Sequence, residues 1–367
     1  MKIVVVFGMG PAGLFLSRQL KCQGADVIGV GKADDLGRYS NALIHYYETE
    51  SRDGIALAIN EVVGQYGEGV EAWICSDQYL TLFIEEYPEA FKLLNFKNPG
   101  EAILRLIAEK DTLMAYCEKI GVRFPKRYSV DRMAEIEYPV AVKPNIKHGE
   151  SPIKKVSILK NEKELSELLS FAHKYGLEPN QLIIQKAILG DNSDEYGYGG
   201  FFENGKVVND VFFIQMRQYP QGVCCYTLEL CDEKIKQQIV AETHILVKSL
   251  NYTGFIQFDL KRNSESGKMY VLDINPRPWG SVSMLTKKCS GKGVFFPNPE
   301  PKTKVCWRFP VKELMSFGNK NNVDYSICRK MKKAAKYETM VDIWDLKDMK
   351  PFLMQPVIML KKLIKRI

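Results

Sequence analysis

Histidine is scarce in this chain of 367 residues. His45, His148, His173 and His244 lie far apart, which argues against a histidine-built metal centre. The nine cysteines are odd in number, and no pair is spaced like a zinc or redox site; only Cys224 and Cys225 are adjacent. Reduced thiols, as in a cytoplasmic protein, are the expectation. No stretch is apolar for long enough to span a bilayer, and no signal peptide is expected, because Met1 runs directly into the strand-like Ile3-Val4-Val5-Val6-Phe7. Also missing are an internal repeat, a low-complexity segment and a nucleophile constellation. The interleaving of basic and aromatic residues that would suggest nucleic acid is absent too.

What is there fits a soluble globular protein of two or three packed units: 46% hydrophobic and 26% charged residues over this length. The formal charge of +7 suits an anionic ligand, and much of it is local. Pro351 to Ile367 holds four basic residues and no acidic one. Basic and apolar residues together at Val357–Ile367 allow two readings, a helix docked on the protein body or an amphipathic helix on an anionic membrane surface.

The first part of the chain alternates strands and helices in the manner of a parallel α/β unit. Ile3–Phe7 and Asp26–Val30 read as strands around a helix from Leu14 to Cys22, and Ala72–Cys75 as a further strand. Gly8-Met9-Gly10-Pro11-Ala12-Gly13 follows a strand and opens a helix, the context of a dinucleotide site. Against that, the second strand ends Gly29-Val30-Gly31-Lys32, without the acidic residue that holds a ribose. Gly37-Arg38-Tyr39-Ser40 and Ser76-Asp77 fall at strand carboxyl ends, where open α/β sheets bind ligands, although ordinary loop polarity explains such residues equally. Further on, helices are expected from Lys110 to Ile120, stopped by Gly121, and from Glu162 to Tyr175, capped by Asn161. After Tyr196 strands dominate, apart from one long helix beyond Asp232.

The most informative segment is a hairpin. Gly254-Phe255-Ile256-Gln257-Phe258-Asp259 is followed by Leu272-Asp273-Ile274-Asn275-Pro276-Arg277-Pro278-Trp279-Gly280. Alternation puts Asp273 and Asn275 on one face of their strand. If the neighbouring strand turns Asp259 to that face, three oxygen ligands converge in the pattern hard Mg²⁺ prefers. Arg277, just past the strand end, suits a phosphate or a developing oxyanion. A buried turn whose Asp and Asn cap backbone groups is the competing reading.

In the order and spacing of these pieces, roughly residues 1–300 resemble the ATP-grasp superfamily, and within it the stand-alone carboxylate–amine ligases. Asp-Ile-Asn-Pro-Arg-Pro is similar to that family's metal-binding strand, usually Glu-x-Asn-x-Arg, so Asp273 is a departure. The resemblance implies Asp259, Asp273 and Asn275 as metal ligands, for two Mg²⁺ ions with Mn²⁺ as an alternative. It implies Lys110, after Glu109, and Lys143, ending Val140-Ala141-Val142, as phosphate contacts. Pro144–Ser151 stands where the family has a glycine-rich loop, but here only Gly149 is present, and Lys147 and His148 read best as solvated. Leu182–Gly190 is similar to the adenine-carrying strand, with Gln185 in a position often held by Glu and with Lys186 and Ile188 contributing backbone groups. Asp191 or Asp194 would hold the ribose, or serve as turn residues. Arg217, in Gln215-Met216-Arg217-Gln218-Tyr219-Pro220, is either a phosphate or substrate contact or a structural arginine.

The fold so implied is α/β and α+β: an ATP-grasp fold with an amino-terminal Rossmann-like domain. Its expected parts are an α/β domain at 1–95, a first lobe at 96–190, a second lobe with the metal site at 191–317 and a helical basic tail at 318–367. The implied activity is ATP-dependent carboxylate–amine ligation through an acyl phosphate, with Arg277, Lys143 and Arg217 as catalytic residues. The partners are ATP, a carboxylate and an amine, the acceptor being a cell-envelope glycan or peptide precursor. A homo-oligomer and peripheral contact with the inner membrane face through 351–367 complete the expectations. Two rivals stand beside it: a dinucleotide-dependent oxidoreductase and a non-catalytic binding protein of the same fold.

Overall fold

A computed structural model describes residues 2–145, 151–219, 222–288, 294–295, 304–318, 322–334 and 337–364. The expectations for Lys147, His148 and Gly149 lie outside these residues. Three sheets carry the chain. The first is parallel, in spatial order Leu43–Glu48, Ala25–Gly31, Lys2–Phe7, Val70–Ile74 and Leu94–Phe96. Its strand order reverses between Lys2–Phe7 and Val70–Ile74, so the loops after these two strands diverge and leave a crevice.

The large sheet has seven strands, in the order Met269–Asn275, Gly254–Arg262, Glu195–Glu203, Lys206–Gln218, Cys224–Glu229, Val305–Arg308 and Glu338–Val341. One face carries the helix Glu233–Ser249, where Tyr198, Phe258, Leu246 and Val271 form an apolar core. Asp232 caps that helix by accepting hydrogen bonds from the Lys234 and Ile235 N–H groups. The small sheet, Arg127–Tyr128, Leu182–Lys186, Val140–Pro144 and Ser157–Leu159, is covered by the helix Glu162–Lys174, with Asn161 as its cap.

A shared apolar cluster welds the parallel sheet to the large one: Leu16 and Trp73 meet Phe201, Phe255, Trp279 and Leu285. Trp279 belongs to the turn after the strand Met269–Asn275, and its ring packs against Gly199. A Cβ on Gly199 would stand 2.6 Å from the indole ring. The glycine is what lets the ring seat against the sheet.

The carboxy-terminal segment returns to the start of the chain. Asp348 accepts hydrogen bonds from Arg18 Nε at 2.9 Å, Ser40 Oγ at 2.6 Å and the Asn41 N–H at 3.0 Å. The helix Lys350–Ile364 then packs near Leu36–Tyr39, burying Pro351, Gln355 and Ile358 and leaving Leu353, Val357 and Leu360 exposed. The first turns of this helix are docked on the protein body.

Asp342, just past the strand Glu338–Val341, is buried, and its Oδ2 has no hydrogen-bond partner among the described residues. Burial pushes its carboxyl up to about 7, against the opposing pull of Lys312, the Ile343 N–H and Arg18. The folded protein holds this proton more tightly than the unfolded chain does. Stability is therefore lost as pH rises from the unfolded carboxyl value, about 4, to about 7. Asp342→Asn should melt above the parent protein at pH 8 in calorimetry, with the gap closing as pH falls toward 4; a gap independent of pH would refute this origin. Gly199→Ala should lower stability by about 1–3 kcal/mol in denaturant unfolding, because the added methyl overpacks against Trp279. Unchanged stability would mean the ring is free to shift.

Candidate active site

In the hairpin, Asp259 lies directly opposite Asp273, and Gln257 opposite Asn275. The register slips by one residue between the pairs Asp259–Asp273 and Leu260–Val271, leaving Leu272 as a bulge. The bulge keeps Val271 in the core beside Leu260, while Asp273 and Asn275 stay half-buried outside that core, Asp273 lining the cleft. Asp259, Asp273 and Asn275 are thus brought to one face.

Amides order this face. Asp259 Oδ1 accepts from Gln257 Nε2 at 2.7 Å and Gln215 Nε2 at 2.8 Å, and Asn275 Nδ2 donates to Gln257 Oε1 at 2.7 Å. Gln218 Nε2 continues the row to Gln215 Oε1 at 3.3 Å and to Glu195 Oε2 at 2.5 Å, and Lys261 holds the other Glu195 oxygen at 3.1 Å. Burial, followed by the nearby Asp273 charge, raises the Asp259 pKa. Burial acts the same way on Asp273, yet Lys110, with Lys143 and Lys155, holds its carboxyl below the usual range. Lys110 is ion-paired to Asp273, and Lys143 Nζ donates to the Leu272 carbonyl at 3.4 Å. Burial lowers the Lys143 pKa.

These residues fit a magnesium site. Among the described residues, no group of three or more His, Cys, Asp or Glu side chains stands ready for a metal. A metal here would rest on two opposed carboxylates, an amide and oxygens from a ligand, the sharing that Mg²⁺ accepts with phosphates.

The face forms one wall of a cleft of about 1460 Å³, whose other wall is the small sheet; Lys143, Gln185, Lys186, Ile188, Asp191, Asp259 and Asp273 all line it. The Lys186 N–H donates to the Lys126 carbonyl at 2.8 Å. Gln185 is buried between strands. Asp191 Oδ1 accepts from the Ser193 N–H at 2.7 Å and hydroxyl at 2.5 Å, so it is a turn residue on the cleft wall. Asp194 packs against Gly190 and is not among the cleft-lining residues.

Arg217 is a correction. Its buried guanidinium donates to Ser316 Oγ at 3.1 Å and to the Val323 carbonyl at 3.0 Å, stitching the carboxy-terminal part to the large sheet and not reaching the cleft. Arg277 forks onto Asp77, with Nε to Oδ1 at 2.6 Å, and lies 3.4 Å from Asn275 Oδ1. Near the Gly8–Gly13 turn, Asp35 Oδ2 takes the Met9 N–H at 3.2 Å and the Lys32 N–H at 3.0 Å.

Sequence reasoning missed four residues of this cleft. Gln257 had a signal, since it lies two residues before Asp259 on the same strand face. Gln215, Glu195 and Lys155 join only through tertiary pairing. Lys155 Nζ reaches across the cleft to the Gly222 carbonyl at 2.9 Å.

No family model matches the sequence. A curated relative, the D-aspartate ligase of Enterococcus faecium (strain Aus0004), is 22% identical over 303 residues, 73% of this chain and 70% of that protein. Among solved structures, the biotin carboxylase domain of the 2-oxoglutarate carboxylase of Hydrogenobacter thermophilus, in complex with MgADP and bicarbonate, has a TM-score of 0.64 at 15% identity. The match covers 79% of this chain and 68% of that one. The L-amino acid ligase of Bacillus licheniformis has a TM-score of 0.63 at 14% identity, over 83% and 79%. Matched in these structures over most of the chain, the three sheets around the cleft show that this protein has the same fold as these enzymes, the ATP-grasp fold.

Proposed function

We propose that this chain is an ATP-dependent carboxylate–amine ligase. The observation that carries the reading is the opposed pair Asp259–Asp273, with Asn275 beside it and Lys110 and Lys143 over it, at the edge of a cleft large enough for a nucleotide. A substrate carboxylate oxygen attacks the γ-phosphorus of ATP, ADP leaves, and an acyl phosphate forms. An amine nitrogen then attacks the acyl carbon, the carbon–oxygen bond to phosphate breaks, and the nitrogen gives its proton to solvent. Mg²⁺ bound by Asp259, Asp273 and Asn275 would supply neutralisation of phosphate charge. Lys110 and Lys143 position the phosphates and offset the charge that develops on them, and Arg277 stands ready for the carboxylate or its oxyanion. Names of similar proteins, a D-aspartate ligase and an L-amino acid ligase, support this class of reaction.

The dinucleotide rival loses support because Asp35 already takes the Met9 N–H in the turn that would face a pyrophosphate. Calorimetry separates the remaining rival: Mg²⁺-dependent ATP binding, with phosphate release stimulated by one pool of carboxylates and amines, is the expected result. No binding by a well-folded sample would return the chain to a non-catalytic role. Asp273→Ala should cut ATP turnover by about 100-fold or more while leaving the melting temperature close to that of the parent protein. Turnover retained in that variant would sink the metal assignment.

For the acceptor, a cell-envelope glycan or peptide precursor is the proposal, together with peripheral contact of residues 351–367 with an anionic membrane. Among the described residues, no helix is long and apolar enough to cross a membrane. The exposed stripe Leu353, Val357 and Leu360 beside the basic carboxy terminus supports surface contact. Replacing all three by serine, which spares the docked face, should abolish sedimentation with anionic vesicles; undiminished sedimentation would end the idea.

A further inference from the structure

Past the strand Val305–Arg308 the chain builds a surface that the cleft chemistry leaves unused. The short helix Pro310–Met315 and the turn Ser316–Gly318 leave Leu314 68% and Phe317 64% exposed. The helix Tyr325–Ala334 sits on the large sheet through Cys328, which is buried among Met216, Tyr226, Leu228 and Cys306. Away from that contact it carries Ile327 and Met331, four residues apart and both exposed, and beside them the exposed Lys330 and Lys333. Four of the residues in this helix are basic and none is acidic.

Two polar side chains join these pieces. Arg217 Nη1 donates to the Val323 carbonyl at 3.0 Å, and its guanidinium carbon lies 5.4 Å from the centre of the Phe317 ring. Asn322 Nδ2 donates to the Ser316 carbonyl at 3.2 Å. Phe317 and the start of the helix are thus held side by side. The same stretch borders the cleft, since Val323, Asp324 and Ile327 line it, as does Phe171 from the helix over the small sheet.

Exposed apolar side chains gathered at one place mark a binding surface, and the lysines decide for what. A second copy of this chain would set lysine against lysine across a two-fold axis. An anionic lipid surface accepts both features. The apolar side chains enter the acyl boundary, while the Lys330 and Lys333 stems carry their charges out to the headgroups. Asp324, the acidic residue before the helix, is turned to the backbone, its Oδ1 accepting from the Ser326 N–H at 2.8 Å.

We propose that Leu314, Phe317 and the helix Tyr325–Ala334 form a docking face for an anionic bilayer, which sets the rim of the cleft against the membrane. This face is separate from the stripe Leu353, Val357 and Leu360, and it does not rest on the ligase reading. Each of the two surfaces is weak by itself, so stable sedimentation with vesicles needs both.

The test is hydrogen exchange of the full chain, followed by mass spectrometry, with vesicles of mixed phosphatidylcholine and phosphatidylserine. Peptides spanning 325–334 should exchange about fivefold or more slowly than in the free protein. Vesicles of phosphatidylcholine alone should leave their rate near the free value. Lys330→Gln combined with Lys333→Gln changes only exposed charge and should weaken sedimentation with the mixed vesicles by about tenfold or more. Phe317→Ser combined with Met331→Ser should act in the same direction, with the melting temperature as the control for folding. Protection confined to 350–364, equal protection by the neutral vesicles, or sedimentation unchanged in the double lysine variant overturns the proposal. Soluble polyglutamate protecting 325–334 as strongly as the mixed vesicles would also overturn it, in favour of an acidic protein partner.

Discussion

Asp259 and Asp273 face each other across an antiparallel pair, where like charges directly opposed weaken a sheet. The structure meets that cost from outside the hairpin. Lys110 comes from the start of the helix Lys110–Lys119, Lys143 from the small sheet and Lys155 from the segment before its edge strand. All three converge on the same pair of carboxylates. The anions on the large sheet and the cations opposite are therefore one electrostatic unit that draws the walls of the cleft together. The row of glutamine amides from Gln257 to Gln218 then fixes how the carboxylates are presented.

Around that unit, the fold is stitched at positions remote in sequence. Trp279 on Gly199 joins the turn after Met269–Asn275 to the sheet centre, and Arg18 with Asp348 joins the beginning of the chain to its end. Arg217 performs a similar service between the large sheet and the segment around Ser316 and Val323. Such contacts position the elements that carry the cleft residues.

Much of this was legible in the sequence, for local reasons. The helix cap at Asn161 and the alternation of Asp273 with Asn275 are statements about neighbouring residues. The alternation held because the bulge at Leu272 lies before Asp273 and leaves the later residues in phase. Arg217 shows the converse. The strand Lys206–Gln218 shifts register on both sides of it, so Gln215 and Gln218 face the cleft while Arg217 turns away. No counting of positions could foresee that. Glu195 and Lys155 were invisible because each acquires its place only when distant strands pair.

The bond from Lys155 to the Gly222 carbonyl spans the cleft, and the Gly222 N–H in turn donates to Gln218 Oε1 at 2.8 Å. Any motion that parts the walls breaks the first of these bonds. The amide row that orients Asp259 is connected to the same point, so opening the cleft disturbs the way that carboxylate is held. Closure of the cleft and the ordering of Asp259 are, in this structure, mechanically coupled.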